Sequence, residues 1–344
     1  MKTLRHITTL VLAFLTMASC QRAFMEKELE PNPVNTFDYL WNKVNQQYAF
    51  FDLKGVNWEE VYQTYRPLVS NDIDDDSLFC IMGAMLNTLQ DGHTNLIAPF
   101  DVSRNDSVYY RMVAEKNINS DVVALNYLTI GHHTTGSLAH NAIRNGQIGY
   151  IRYSSFMNPV SAYDLRYILN RYQHCNGLIL DMRQNGGGSI ANIWTLLSLF
   201  DNHGQELYAT QIKSGPGHDD FTQLETVHAA DTGLFGHDYY RKPVAVLIDR
   251  GSYSATSFFA VCTQAYDNIA LIGDFTGGGL GLPNGGELPN GWHYRFSITR
   301  TIANDGGNYE NGVSPDYRIL LSPEATAAGV DNVIEFACDW IQGH

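Results

Sequence analysis

An α/β core preceded by a small helical domain is the architecture this sequence predicts, and two patterns carry the prediction. From Gly146 onward, short apolar runs alternate with helical stretches. The run "GLILDMR" at 177–183 leads through "QNGGGS" into the apolar stretch "IANIWTLLSLF", and "PVAVLID" at 243–249 leads into a second such stretch near Ser254. Strand, glycine-rich loop and helix in that rhythm describe an α/β core. Between Asn35 and Leu89 the apolar spacing is instead helical throughout. With 344 residues, 44% of them apolar, the chain has ample material for a packed interior.

In chain order, "MKTLRHITTLVLAFLTMASC" places Lys2 and Arg5 before an apolar stretch from Ile7 to about Met17, then Ala18 and Ser19 before Cys20. That is the layout of an export signal over residues 1–19, and its apolar core falls short of the roughly 20 residues a spanning helix needs. Cys20 directly after Ala-Ser is a lipobox-like end, so a lipid-anchored protein of the cell envelope is expected, with residues 20–35 as a tether. The helical domain, 36–92, holds three helices: "TFDYLWNKVNQQYAFF", with Phe37, Leu40, Trp41, Val44 and Tyr48 on one face, "NWEEVYQTYRPLV" behind an Asn cap, and "DSLFCIMGAMLNTL". The core spans 93–344. Its first part, 95–145, reads as mixed strand and loop, too short for a further complete domain. The strand in "GQIGYIRYSSF" and the helix "NPVSAYDLRYILNRYQ" come next, and the amphipathic "VDNVIEFACDWIQ" closes the chain.

Formal charge excludes one class of partner. Loss of residues 1–19 removes Lys2 and Arg5 and no acid, taking the net charge from −14 to −16. Nucleic-acid binders carry a basic footprint that this chain lacks. Cys80, Cys175, Cys262 and Cys338 lie far apart, mostly in apolar contexts, and are expected as buried free thiols. No CxxC or metal-ligand spacing occurs, so no cofactor or metal is expected.

Three stretches carry chemistry. In "LDMRQNGGGS" three glycines between a buried strand and a helix let main-chain amides point at an anion, although neither GxGxxG nor a phosphate-loop Lys is present. In "LQDGHTNL", His93 follows an Asp-Gly turn at the change from helical to mixed character; His132, His133 and His218 compete with it among 12 histidines. In "NYENGVSPDYRI", Glu310 opens a turn-rich loop. The junction "VLIDRGSYSATSFFAVC" offers five hydroxyls, Ser252, Tyr253, Ser254, Thr256 and Ser257. Helix capping accounts for one or two of them, and a nucleophile is the alternative.

"DGHT", "GLILDMRQNGGGS", "VLIDRGSYSATS" and "YENGVSPD" occur in an order, and at spacings, that resemble the serine peptidase family of tail-specific, C-terminal processing proteases and the tricorn core protease. The opening helical segment also looks like that of lipoprotein members from Bacteroidetes, so the resemblance covers about 36–322. It implies a crotonase/ClpP-like spiral fold and peptide-bond hydrolysis. It implies Ser254 as nucleophile. The family's Lys base is missing, because Gly279 stands at its position and no Lys follows Lys242. The resemblance therefore implies the tricorn-like set, with His93 as base and an ionised Glu310 as its orienter. It also implies an oxyanion hole from the backbone of Gly186 or Gly187 and of Ala255, each donor worth about 3 to 4 kcal/mol. Gly92 departs from the tricorn pattern, which has a serine there, and no room is left for a PDZ module. A catalytically silent peptide-binding lipoprotein of the same fold and an acyl-CoA enzyme on a related core are the rival readings.

Overall fold

The computed structural model describes residues 29–200, 204–229 and 239–344. The expected export signal and the expected lipidation site, Cys20, lie outside the described residues. No helix among the described residues is long and apolar enough to cross a membrane.

Seven strands form the central sheet. These are β2 (His133–Thr135), β3 (Leu138–Ile143), β4 (Ile148–Arg152), β5 (Gly177–Asp181), β8 (Val244–Ile248), β9 (Ile269–Gly273) and β13 (Tyr317–Arg318), in the order β13-β9-β8-β5-β4-β3-β2. From β4 to β13 the pairing is parallel, while β2 and β3 are antiparallel additions. Every residue of β5 and of β8 is buried, because a parallel sheet is covered on both faces and needs continuous apolar runs. Alternate residues separate into two cores. Leu178, Leu180, Val244, Val246 and Ile248 pack with the helix Ala255–Thr263; Ile179, Ala245 and Leu247 pack with the closing helix Asn332–Gln342.

Two small antiparallel sheets complete the fold. One pairs β1 (Asn95–Ile97) and β10 (Pro283–Glu287) on either side of β11 (His293–Ser297); the other is β12 (Thr299–Ala303), β6 (Glu206–Ile212) and β7 (Glu225–His228). The three expected N-terminal helices are Pro33–Gln47, Trp58–Tyr65 and Asp75–Asn87, capped by Asn32, Asn57 and Asp74. Their core is shared with the hairpin, since Leu288, Trp292, Tyr294 and Phe296 pack among Phe37, Leu40, Met82 and Met85. The helical region and the β10–β11 hairpin are thus one packing unit.

The segment read as mixed strand and loop contains more helix than expected. Asn105 accepts from the Val108 amide and starts the helix Asp106–Ala114, and a short helical stretch runs from Ser120 to Leu128. Tyr109, Tyr110 and Val113 are exposed while Val108 is buried, so apolar residues run round the helix rather than along one face and hide its period. Three of the four cysteines outside the signal region are buried free thiols, but Cys80 is free and exposed.

Candidate active site

The site lies where the parallel strands β5 and β8 end side by side, at the carboxyl edge that open α/β sheets use for ligands. The loops leaving the two strands are stitched together. Asp249 Oδ1 accepts the amides of Gln184 (2.7 Å) and Gly251 (3.0 Å), and the Asn185 carbonyl accepts the amide of Tyr253 (3.0 Å). Below them Arg183, fully buried, donates to Asp181 (2.7 Å) and to Asp331 (2.9 Å). This polar root anchors the glycine loop against the closing helix.

Partners sort the five hydroxyls at the β8 junction. Ser252 Oγ donates to the Met182 carbonyl (2.9 Å), Thr256 Oγ1 to the Asn185 carbonyl (2.8 Å), and Ser257 Oγ to Thr276 Oγ1 (2.9 Å). Ser254 makes no side-chain capping bond although it sits at the helix start, and its φ of 55° is a left-handed value. A non-glycine residue held there is strained. The turn aims its Oγ outward, 3.0 Å from His93 Nε2.

His93 is held from outside the central sheet. Its amide donates to Asp91 Oδ1 (2.7 Å), and its carbonyl accepts from Arg295 Nε (3.3 Å), on β11 beside β1. Burial lowers the imidazole pKa below its ordinary value; the Asp91 carboxylate opposes this and Arg295 adds to it. The ring is therefore neutral at neutral pH, as a base must be. The rival histidines lie elsewhere: His132 on the Thr129 carbonyl, His133 beside Arg171, and His218 stacked on Phe51 at 4.5 Å.

Glu310 is buried, and Oε2 accepts the amides of Leu280 (2.6 Å) and Gly281 (2.8 Å). No hydrogen bond joins it to His93 among the described residues. Burial, reinforced by the Asp91 charge, pushes its carboxyl up to about 8. The ionised orienter expected from the sequence is thus a carboxyl that keeps its proton near neutrality. At Gly279 a Cβ would lie 2.4 Å from Tyr253 Cζ, so this position has no room for a lysine.

The glycine loop faces Ser254. The Gly187 amide donates to Asn185 Oδ1 (3.0 Å), which removes it from the expected oxyanion donors. Among the described residues the amides of Gly186 and Ala255 make no hydrogen bond, and Ala255 begins the helix whose positive end faces the site. A cleft of about 580 Å³ opens over Ser254 and His93, walled by apolar side chains including Val108, Met112, Met157 and Phe258, with Arg104 and Arg295 also lining it. That size and lining suit a peptide segment. Among the described residues no cluster of His, Cys, Asp and Glu could hold a metal ion.

Residues 147–319 match peptidase family S41, and residues 33–87 match the tricorn protease C1 domain. The carboxy-terminal processing protease CtpA of Bacillus subtilis is 24% identical over 195 residues, covering 56% of this chain and 39% of that protein. The chain thus spans well under half the length of that relative. A solved structure titled as a peptidase from Parabacteroides merdae is 35% identical, with a TM-score of 0.84 over 90% of this chain and 96% of that one. The photosystem II D1 C-terminal processing protease shares the fold at 16% identity, with a TM-score of 0.53 over 88% of this chain and 97% of that one.

Proposed function

Because the chain belongs to peptidase family S41, we propose that it is a serine-type endopeptidase acylated on Ser254, with His93 as general base. The observation that carries this reading is the 3.0 Å contact between His93 Nε2 and Ser254 Oγ at the floor of the cleft. Ser254 Oγ attacks the scissile carbonyl carbon as its proton passes to His93 Nε2. The developing oxyanion takes the amides of Gly186 and Ala255. Collapse expels the amine, which leaves with the proton from His93. Water, deprotonated by the same imidazole, then attacks the ester carbonyl and frees Ser254.

Glu310 acts in this scheme as an orienter at one remove. Its carboxyl fixes the peptide between Leu280 and Gly281, and the Gly281 main chain in turn favours protonation of the His93 ring. Export and lipidation at Cys20 complete the proposal, supported by the residue pattern of the first twenty positions.

A fluorophosphonate probe tests the chemistry. Labelling of wild type, lost in Ser254→Ala and sharply reduced in His93→Ala, is the expected result; a folded wild type that takes no label would favour a silent binding protein. Peptide-library cleavage then defines the substrates. Radiolabelled palmitate incorporated into wild type and absent from Cys20→Ala tests the anchor.

A further inference from the structure

The helical region reaches the active site through one side chain. Between the helices Pro33–Gln47 and Trp58–Tyr65 the chain is seated on β11 and β12: the Ala49 amide donates to the Ser297 carbonyl (3.0 Å), and the Ala49 carbonyl accepts from Arg300 Nε (2.7 Å). A short helix, Phe51–Lys54, follows this seat, with Phe51 buried in the core shared with the hairpin. Lys54 ends that helix and is half-buried.

Its ammonium donates in two directions. One bond, 3.0 Å long, goes to the Gln90 carbonyl, and the other, 2.6 Å long, goes to Asn311 Oδ1, 257 positions along the chain. Gln90 opens the turn that carries His93, and Asn311 follows Glu310. An ammonium has three donors, so it can serve both oxygens at once, and a charged donor makes the stronger kind of hydrogen bond. Gln90 needs such support. Its φ of 48° is a left-handed value, which a non-glycine residue keeps only where its surroundings fix it. Lys54, Gln90, Glu310 and Asn311 line one small cavity. Burial and the Asp91 charge raise the Glu310 carboxyl, and the Lys54 charge opposes them.

We propose that Lys54 is a positioning residue of the active site: its ammonium ties the turn of His93 to the loop of Glu310, so that the helical region holds the base and the carboxyl behind it in place against Ser254. The inference rests on the reading of His93 and Ser254 as base and nucleophile.

Lys54→Met and Lys54→Arg in the full chain test it, together with Asn311→Ala and the double variant of Lys54→Met with Asn311→Ala. Steady-state kinetics on a cleaved peptide and amide hydrogen exchange of residues 89–93 and 309–312 are the measurements. Misplacing a reacting group by about 1 Å can cost about 10²-fold, so Lys54→Met should lose roughly tenfold or more in kcat, with KM within about twofold. Lys54→Arg keeps the charge and the donors and should recover most of that loss, while Asn311→Ala should show part of it. Because Asn311 acts through Lys54, the double variant should match Lys54→Met within about twofold. Exchange should quicken in both segments together in Lys54→Met. Wild-type kcat in Lys54→Met, an arginine no better than methionine, additive losses in the double variant, or loosening of only one segment would overturn the proposal. Should Lys54→Met fail to fold, Asn311→Ala, at an exposed position, decides by its own kcat, and a wild-type value there overturns the clamp. A wild type that takes no fluorophosphonate label would sink the reading of Ser254 and His93 but not the clamp, which the exchange of the two segments then decides.

Discussion

His93 Nε2 and Ser254 Oγ stand 3.0 Å apart although 161 positions separate them in the chain. One is carried by a turn tied to the β11 hairpin through Arg295, the other by the end of β8 in the central sheet. In the proposed reaction, catalysis therefore depends on how these two packing units seat against each other. It depends as well on a neutral imidazole. Burial sets the His93 pKa below its ordinary 6.5, so the base stays free through the mildly acidic range and is lost only as pH falls through that lowered value. The acid limb of kcat/KM on a chromogenic peptide should have its midpoint below about 6.5. A midpoint above that value, or a rate unchanged down to about pH 4, would refute a buried His base.

The remaining histidines should be nearly silent. His132 is exposed on the Thr129 carbonyl, and His218 stacks on Phe51 and reaches Asn45 at the edge of the helical region. His93→Ala removes the group touching the nucleophile and should lower kcat by roughly 10² or more. Alanine at 132, 133 or 218 should leave kcat/KM within about twofold, as expected away from a site. Equal losses at 93 and at any of the other three would show that another histidine is the base.

Glu310 should tolerate an amide better than a deletion. Its carboxyl holds its proton up to about 8, and a single oxygen receives both backbone amides. Gln has the same shape and can accept both bonds. Glu310→Gln should therefore keep kcat within about tenfold of wild type at pH 7, whereas Glu310→Ala strands two buried amides, at about 1–3 kcal/mol each, and shifts the loop beside His93. Kinetics and melting of the pair decide this; a Gln variant as damaged as the Ala variant would mean that the negative charge itself is required.

Beneath the site, Arg183 binds Asp181 and Asp331, and all three side chains are buried. Desolvation works against the Asp181 anion, but the charges of Arg183 and Arg152 outweigh it and hold its carboxyl well below the usual range. Arg183→Met leaves Asp331 without its cation and Asp181 with Arg152 alone, and breaking a buried pair in this way costs about 3–5 kcal/mol. Urea unfolding of the variant should show that loss. An unchanged midpoint would mean that water or Arg152 takes over.

Local patterns made much of this legible before any coordinates. The strands "GLILDMR" and "PVAVLID" are buried on both faces and read as continuous apolar runs, and both are followed by the loops that meet at Ser254. Long-range packing was not legible. Leu288, Trp292, Tyr294 and Phe296 look like an ordinary hairpin in sequence, yet they complete the core of helices some 200 positions earlier. Direction was not legible either. The sequence offers Glu310 a role beside His93, but which amides its oxygen meets depends on the turn at 277–281. The Asn185 side chain that engages the Gly187 amide leaves no mark in the glycine pattern.

The two central loop glycines should respond in opposite ways to alanine. Gly187 has φ of +92°, and a Cβ there would stand 2.8 Å from the Ala255 nitrogen and 2.8 Å from Ser254 Cβ. Backbone strain and a clash with the nucleophile turn act together, so Gly187→Ala should displace Ser254 and an oxyanion donor at once. Loss of one such donor alone costs about 10²–10³ in kcat, and the variant should lose at least that much. Gly186 has no left-handed φ, and nothing lies within 4 Å of the position its Cβ would take. Its contribution to the oxyanion hole is an amide, which alanine retains. Gly186→Ala should fold normally and keep kcat within about tenfold, the methyl group adding bulk at the cleft wall without removing the donor. Steady-state kinetics on both variants, with melting curves as the control for folding, measure the contrast. A tolerant Gly187 would detach the glycine loop from the chemistry, and a dead but folded Gly186→Ala would mean that the loop must move during the reaction.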